Sequence, residues 1–302
     1  AGTDNILSIE EKSIINGKIE SAGANNTITI KESIINGDIL ATAGNNTLNL
    51  IGNRDEKRVV LYNNTMNIFH NIDGFENINI GNNVAFYEDA KITNVEKLNI
   101  EKDGILVLRI DSTKKDGSGI KGHALYNIGT TISSKGGKLL LALNGAGNTE
   151  TINFGTTVLA DSIKGTEAGL SYQEDFTIDT TSYFHSVERV TGKNEVKIVV
   201  QSDLPMFRSI YEYDKLNGIY RGIISIDELG NFAVNTPENL STFLSYLNDI
   251  YAGNPYSYSS ELSRKSTGMF RDIVVDNIFR PEKDKWMIYG GLTHVDGGTK
   301  DT

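Results

Sequence analysis

A repeat of 20 residues constrains the fold of this chain more than any other feature. The segment SIING occupies Ser13–Gly17 and again Ser33–Gly37, and the segment NNT occupies Asn25–Thr27 and again Asn45–Thr47. Self-similarity at a fixed period of roughly 20 to 50 residues is the sequence signature of a solenoid, in which one structural unit stacks on the next. The period therefore predicts a stack of short, similar coils.

The residues within each repeat indicate β-strands. The period returns where Phe75–Ile80 is matched by Val95–Ile100, and in Thr27–Ile30 threonine alternates with isoleucine. Alternation with period two is typical of a half-buried strand, and β-branched residues, Gly and Asn disfavour a helical repeat. The frame of leucine-rich repeats is absent. We therefore predict an all-β fold, a right-handed parallel β-helix solenoid with a C-terminal cap.

Equivalent positions of successive coils should lie roughly 4.8 Å apart. The repeat then places Ile14 over Ile34 and Ile28 over Leu48, all within one continuous core. The recurrent asparagines can adopt left-handed backbone conformations and bond adjacent coils through their side chains, which accounts for them without a ligand.

From about residue 101 to residue 200 the period blurs, but strands are still predicted within Gly104–Ile110, Lys138–Leu143 and Glu195–Val200. Two polar segments, Asp111–Gly119 and Asn144–Asn148, are predicted to be flexible loops that project from the coils. We expect the coils to become less regular toward a cap.

The C-terminal third differs in composition, and we place a boundary near residue 203. Thr236 and Pro237 form a helix-start signal. Apolar residues then follow at helical spacing, namely Leu240, Phe243, Leu244, Leu247 and Tyr251. A second helix is predicted over Ser259–Asn277, and Lys285–Val295 resembles a membrane β-strand of about 10 residues.

Charge and cysteine content exclude several classes of function. The formal net charge is -10, from 39 acidic and 29 basic residues, which disfavours binding to nucleic acid. The chain has no cysteine, so disulfides, thiolate metal sites and cysteine nucleophiles are excluded.

Several carboxylates are candidates for acid–base chemistry. Asp38 is isolated, whereas Glu76 and Glu96 occupy equivalent positions one repeat apart, where a cation could bridge them. Exposed carboxylates are ordinary surface residues, so we favour solvated repeat positions over a site.

The remaining candidates give no recognisable site. The four histidines have no metal-ligand spacing and are His70, His123, His185 and His294. Neither Gly136–Gly137 nor Gly290–Gly291 fits a nucleotide fingerprint. The tyrosine-rich segments Tyr211–Tyr213 and Tyr256–Tyr258 could bind sugars or proteins, but packing explains them as well. We predict no catalytic residue, no cofactor and no metal.

The order of these elements resembles the C-terminal passenger region of a monomeric (type Va) autotransporter. The segments Tyr246–Tyr256 and Trp286–Gly291 are similar to the region before the barrel in large fusobacterial outer-membrane adhesins, the RadD-like group. The resemblance is most specific over residues 205–295.

The resemblance implies four parts. Residues 1–140 would be a β-helix passenger, 141–235 a cap of the autochaperone kind, 236–280 a helical linker and 281–302 the start of the autotransporter β-barrel.

The function that the resemblance implies is a cell-surface stalk, the scaffold and folding template of a virulence-associated adhesin for host or bacterial cells. Its location would be extracellular, at the outer membrane of a Gram-negative bacterium. Its partners would be a cell-surface protein or glycan and its own barrel, the chain being a monomer and not an enzyme. The alternative is a carbohydrate-active β-helix, a polysaccharide lyase or glycosidase, which predicts acidic residues clustered in a groove.

Overall fold

The computed structural model consists mostly of β-strands, with two helices near the C-terminus. It describes residues 2–10, 12–53, 66–143, 145–160, 162–167, 170–190, 193–203, 213–226 and 237–251. Contacts divide the chain into two units, Ala1–Leu244 and Ser245–Thr302. In the second unit the described residues are the C-terminal end of one helix.

The strands are short and most of them pair in parallel, so the fold is all-β and resembles a β-helix. In chain order the strands are β1 (Ile6–Ile9), β2 (Ile14–Asn16), β3 (Ile19–Ser21), β4 (Thr27–Lys31), β5 (Ile34–Asn36), β6 (Ile39–Ala41), β7 (Thr47–Ile51), β8 (Met66–Ile68), β9 (Ile72–Asp73), β10 (Asn77–Gly81), β11 (Asn83–Phe86), β12 (Ile92–Thr93), β13 (Lys97–Ile100), β14 (Ile105–Asp116), β15 (Gly119–Gly122), β16 (Thr131–Ser134), β17 (Lys138–Leu143), β18 (Thr149–Asn153), β19 (Val158–Leu159), β20 (Ser162–Glu167), β21 (Leu170–Asp175), β22 (Thr177–Thr180), β23 (His185–Arg189) and β24 (Glu195–Val200). The helices are α1 (Tyr213–Ser225) and α2 (Pro237–Tyr251).

Three parallel arrays carry the fold. Sheet 1 has the order β1-β4-β7-β10-β13-β16-β19, and sheet 3 has the order β12-β9-β6-β3. Sheet 2 is the parallel series β8-β11-β14-β17-β22, and β2 pairs separately with β5. Because neighbours in each array are not consecutive in the chain, at least one strand from outside the array lies between them in the sequence.

The register confirms the predicted repeat at its regular positions. Thr27 pairs with Thr47, and Asn77 pairs with Lys97, each an offset of 20 residues. The offset grows to 30 residues between Asn49 and Asn79 and to 34 between Asn99 and Ser133. The later coils therefore contain insertions, which is why the period blurs in the sequence.

One of the two predicted core pairs is buried and the other is exposed. Ile28 lies beside Leu48 with both side chains in the core. Ile14 lies beside Ile34 as predicted, but these side chains are 61% and 55% exposed. Alternate residues of a strand point to opposite faces, and here Ile35 is the buried neighbour. The prediction that Ile14 and Ile34 lie in the core was wrong, because in β5 the buried side chain is that of the next residue, Ile35.

The core runs through the coils without interruption. Sheet 1 contributes two inward residues per strand, such as Ile28 and Ile30 of β4 and Ile78 and Ile80 of β10. These side chains belong to one buried cluster that extends to Val196 and Ile198 of β24.

Asparagine turns join the strands at the corners of the coils. Asn25 and Asn45 have positive φ values of 57° and 66°, which confirms the predicted left-handed conformations. The Asn45 side chain also donates to Asn25 Oδ1 at 2.8 Å, so the turn of one coil is bonded to that of the next.

Neither predicted loop is a free projection. Residues Asp111–Asp116 belong to β14, which forms an antiparallel hairpin with β15. In the second segment Ala146 is buried and Asn148 Nδ2 donates to the Ile224 carbonyl at 2.6 Å, while Asn144 lies outside the described residues. A polar composition did not distinguish a paired hairpin from a loop.

The predicted strands around residues 104–110, 138–143 and 195–200 are confirmed as β14, β17 and β24. Beyond β17 an antiparallel series adds to the coils: β18 pairs with β24, and β24 pairs with β23. The predicted division at residue 140 falls within β17, and the proposed domain limits stay predictions.

Of the predicted helices, the first begins at Pro237 as α2, with Phe243 and Leu247 buried. Helix α1 was not predicted. The segments Ser259–Asn277 and Lys285–Val295 lie outside the described residues. Within the described part of the chain, neither helix is both long and apolar enough to cross a membrane.

Candidate functional site

The outward face of sheet 1 carries a line of hydrogen-bonded polar side chains, here called the Asn ladder. Its members are Thr29, Asn49, Asn79, Asn99 and Ser133, one from each of five successive strands. Each amide donates to the preceding coil: Asn49 to Thr29 at 3.0 Å, Asn79 to Asn49 at 2.8 Å and Asn99 to Asn79 at 3.0 Å. Ser133 Oγ completes the line by donating to Asn99 Oδ1 at 2.6 Å.

The Asn ladder forms because parallel strands in register place identical positions side by side at roughly 4.8 Å, a spacing that one amide can bridge. An amide has two donor hydrogens and about two acceptor lone pairs. Each asparagine of the ladder donates one hydrogen bond to the preceding coil and accepts one from the following coil. Neighbouring coils are therefore joined by side-chain bonds as well as by backbone bonds.

A second line of amides, here called the corner ladder, lies where the chain enters sheet 1. Asn26 Oδ1 accepts from the backbone N–H of Asn5 at 2.8 Å, and Asn46 Oδ1 accepts from the backbone N–H of Asn26 at 2.9 Å. Asn46 is fully buried. The backbone N–H of Asn26, a buried residue, thereby has a partner in the amide oxygen of Asn46.

The predicted carboxylates Glu76 and Glu96 lie in the two coils after that of Asn46. Glu76 directly precedes β10 and Glu96 directly precedes β13, both strands of sheet 1. Glu76 is half-buried and its Oε2 has no hydrogen-bond partner, whereas Glu96 is exposed. Among the described residues no group of three or more His, Asp or Glu side chains could hold a metal ion.

Asp38 lies apart from these two residues. Its Oδ1 accepts from the backbone N–H of Asn71 at 3.0 Å, directly before β9 in sheet 3. The structure therefore gives Asp38 a bond between coils and does not bring it together with Glu76 and Glu96 in one groove.

His123 is enclosed in the core of the irregular coils. Its Nε2 donates to the Asn153 carbonyl at 3.0 Å, its ring lies 4.8 Å from that of Phe154, and its Nδ1 has no partner. Burial lowers the pKa of His123 to about 4, although the Asn153 carbonyl opposes the shift. The ring is therefore neutral at pH 7.

His185 holds a turn together. Its Nε2 donates to the Gly147 carbonyl at 2.9 Å, so its Nδ1 accepts from Ser182 Oγ at 2.6 Å. Burial lowers the pKa of His185 against the opposing effects of the Gly147 carbonyl and Glu150. Of the other histidines, His70 is exposed and His294 lies outside the described residues.

A ladder of aromatic and cationic groups on sheet 2 was not predicted. Phe69 and Tyr87 follow β8 and β11 at paired positions, with ring centroids 4.0 Å apart. The Arg109 guanidinium lies 4.7 Å from the Tyr87 centroid. The sequence hides this ladder because the residues of these coils are not 20 positions apart.

The predicted tyrosine segments and glycine pairs have mixed outcomes. Tyr213 begins α1, while Tyr211, Glu212 and Tyr256–Tyr258 lie outside the described residues. Gly136 has a φ of +88°, and a Cβ on Gly137 would meet Ile100 Cγ2 at 2.4 Å. This pair therefore makes a tight turn between β16 and β17, and Gly290–Gly291 is outside the described residues.

Most of these polar groups are engaged with another coil, and their arrangement can join coils rigidly and present a regular polar face. No protein-family model, no curated protein and no solved structure matches this chain.

Proposed function

We propose that this chain is the membrane-proximal stalk of an autotransporter passenger, a rigid scaffold for an adhesin on the surface of a Gram-negative bacterium. In this proposal the parallel coils are a right-handed β-helix solenoid, and residues 141–235 cap it. Residues 236–280 form the linker, and 281–302 begin the outer-membrane barrel. The chain is a monomer and has no enzymatic activity.

The Asn ladder is the observation that carries the proposal. Its four side-chain hydrogen bonds join five successive strands, and three of these bonds are between 2.8 and 3.0 Å long. A spacer must transmit force between its ends, and a stack in which each coil contacts its neighbours gains stiffness from repeated bonds between them. An array of bonds between coils therefore gives the stiffness that a scaffold needs.

Antiparallel strands beside the last coils support the assignment of a cap. The strand β24 pairs antiparallel with β18 and β23, and Phe184 packs against Tyr220 of α1 and Phe243 of α2. A cap that covers the last coil gives the next coil a surface on which to fold. Residues 141–235 would thereby act as the folding template.

The proposed partners are a host or bacterial cell-surface protein or glycan, and the chain's own barrel. The chain's acidic balance supports the expectation that nucleic acid is not a partner.

Surface labelling tests this function. Antibodies raised against the purified chain should label intact source cells, and protease treatment of those cells should remove the signal. A cytoplasmic protein serves as the control that stays unlabelled until permeabilisation. Labelling that requires permeabilisation would contradict the proposal.

A carbohydrate-active enzyme is less well supported, because the predicted carboxylates lie at two different corners of the coils. A panel of acidic and neutral polysaccharides tests it. Bond cleavage that is lost on Glu76→Gln, but kept on Asp38→Asn, would favour the enzyme over the scaffold.

A further inference from the structure

A serine hydroxyl and a histidine ring meet in the turn between β22 and β23. Ser182 lies in this turn, and its Oγ is 2.6 Å from Nδ1 of His185, the first residue of β23. Nucleophilic attack by serine uses this pair of groups at about 2.6–3.2 Å, because the imidazole accepts the hydroxyl proton as the oxygen attacks. The distance is therefore in the range of an activated nucleophile.

The ring of His185 is held in the tautomer that such a base needs. Its Nε2 lies 2.9 Å from the carbonyl oxygen of Gly147, which can only accept, so Nε2 carries the proton. The lone pair of Nδ1 is then directed at the Ser182 hydroxyl. A third group that orients the base completes the arrangement, as in catalytic triads, although here it is a backbone carbonyl and not a carboxylate.

The surroundings keep this base neutral at pH 7. Burial of the ring lowers the pKa of His185, while the Gly147 carbonyl and the charge of Glu150 oppose that shift. Glu150 lies on β18, and its Oε1 is 3.2 Å from Nζ of Lys115 on β14, which partly balances its charge. The neutral imidazole is the form that accepts a proton.

The turn lies at the surface. Ser182 is half-buried, and the following residue, Tyr183, is 36% exposed. Two nearby amides are already engaged: the N–H of Phe184 donates to Ser182 Oγ at 3.3 Å, and the N–H of Ser182 donates to Thr180 Oγ1 at 3.2 Å. Neither amide is directed at the oxygen of an incoming acyl group, as an oxyanion hole requires. The turn therefore has a nucleophile and a base, but these two amides do not speed the hydrolysis of an acyl intermediate.

We propose that Ser182, with His185 as its general base, accepts an acyl group from an activated ester and retains it. The Ser182 Oγ forms a bond to the carbonyl carbon as the bond from that carbon to the leaving oxygen breaks. The hydroxyl proton passes to His185 Nδ1 and from there to the leaving oxygen, so the products are an ester on Ser182 and a free alcohol or phenol. Each chain is acylated once without turnover, and the proposal does not rest on the stalk function.

Acetylation by p-nitrophenyl acetate tests the site. The purified full chain is incubated with this ester at neutral pH, and peptide mass spectrometry quantifies the acetyl group on each serine. We expect Ser182 to be acetylated at least about tenfold faster than Ser186, since a positioned base accelerates the attack. Ser186 is a half-buried serine of β23 whose hydroxyl donates to the Val199 carbonyl and not to a histidine.

The variant His185→Gln tests the base. Its amide can still donate to the Gly147 carbonyl but cannot take a proton at neutral pH, so acetylation of Ser182 should fall at least about tenfold. The matched control is Ser186→Ala, in which acetylation of Ser182 should be unchanged. In the unchanged chain the rate should also fall as the pH is lowered and His185 is protonated, and His185→Gln should lose this dependence.

Equal acetylation of Ser182 and Ser186 would overturn the proposal, and so would a rate that His185→Gln leaves unchanged. Circular dichroism and urea unfolding establish that the variants are folded before they are compared. The pH profile of the unchanged chain needs no variant, and a rate at Ser182 that does not fall on protonation of His185 would by itself contradict the role of the base.

Discussion

An asparagine of the Asn ladder acts on two neighbours at once. Asn79 donates to Asn49 and accepts from Asn99, so removal of one amide breaks bonds to the coils on both sides. Asn77 is two positions earlier in β10 and on the same outward face, outside the ladder. The two residues separate the ladder from the general effect of an asparagine on a strand.

We predict that Asn79→Ala lowers the free energy of unfolding by about 1–2 kcal/mol, because two hydrogen bonds of roughly 0.5–1.5 kcal/mol each are lost. Asn77→Ala should change it by less than about 0.5 kcal/mol. Urea unfolding followed by circular dichroism measures both. Equal losses for the two variants would argue against the ladder.

His123 makes stability depend on pH. Its folded-state pKa of about 4 lies below the unfolded value of roughly 6.5, so the unfolded chain binds the proton more tightly. The stability due to its neutral ring is complete above pH 6.5. That stability is lost as the pH falls toward 4, by on the order of 3 kcal/mol.

Replacement of His123 by Gln, which is neutral and can still donate to the Asn153 carbonyl, should therefore flatten the fall in stability between pH 6.5 and pH 4. His185, whose pKa is also lowered, would leave a smaller slope of the same sign. The control is His70→Gln, an exposed histidine. Urea unfolding at several pH values measures the slope, and an unchanged slope in His123→Gln would refute the assignment.

At the scale of the element, the aromatic group after β22 joins helices to strands. The Phe184 ring centroid lies 5.5 Å from that of Tyr220 and 4.7 Å from that of Phe243, and the Tyr220 hydroxyl donates to the Gln201 carbonyl at 2.8 Å. Burial raises the pKa of Tyr220, so this donor stays protonated. The three rings attach α1 and the first part of α2 to the last strands.

Phe184→Ala should destabilise the chain by about 3–5 kcal/mol, the usual result of removing a buried aromatic ring. Hydrogen exchange should quicken first in α1, whose Tyr220 loses its neighbour. Tyr183→Ala is the matched control, since this adjacent ring is 36% exposed and its removal opens no cavity. Protection of α1 that is unchanged in Phe184→Ala would show that the rings do not hold the helix.

The sequence predicted some elements well and others poorly, for physical reasons. Strands such as β4 and β10 alternate strictly, and α2 begins at the proline that signals its start. Helix α1 was missed because Gly218 and Gly222 lower its helix propensity. The helical spacing of Leu216, Tyr220 and Ile223, all buried, could have revealed it.

The site was less predictable than the strands. The repeat correctly predicts that Ile14 pairs with Ile34. It does not predict which face of the strand each side chain occupies, because that depends on where the chain turns. In the structure the inward residue is Ile35 and not Ile34. The Asn ladder crosses an offset of 30 residues between Asn49 and Asn79. No fixed period can place these two side chains together, so only the structure reveals the complete line.

At the scale of the first unit, sheet 1 repeats the same parallel pairing from β1 to β19. At β19 the Arg189 side chain donates to the carbonyls of Leu159 and Ala160. Repeated contacts between nearest neighbours make stability build up coil by coil. The register of the strands in sheet 1 therefore determines which contacts join one coil to the next.

A cysteine scan across sheet 1 tests that register most directly, because the chain contains no thiol of its own. One double variant replaces Asn49 and Asn79 by cysteine. A second replaces Asn49 and Phe69, which are separated by the 20 residues of the repeat. Under mild oxidation we predict that the Asn49/Asn79 pair forms an intramolecular disulfide, since these residues are register partners. The Asn49/Phe69 pair should remain reduced, and a disulfide in that pair alone would contradict the stacked arrangement.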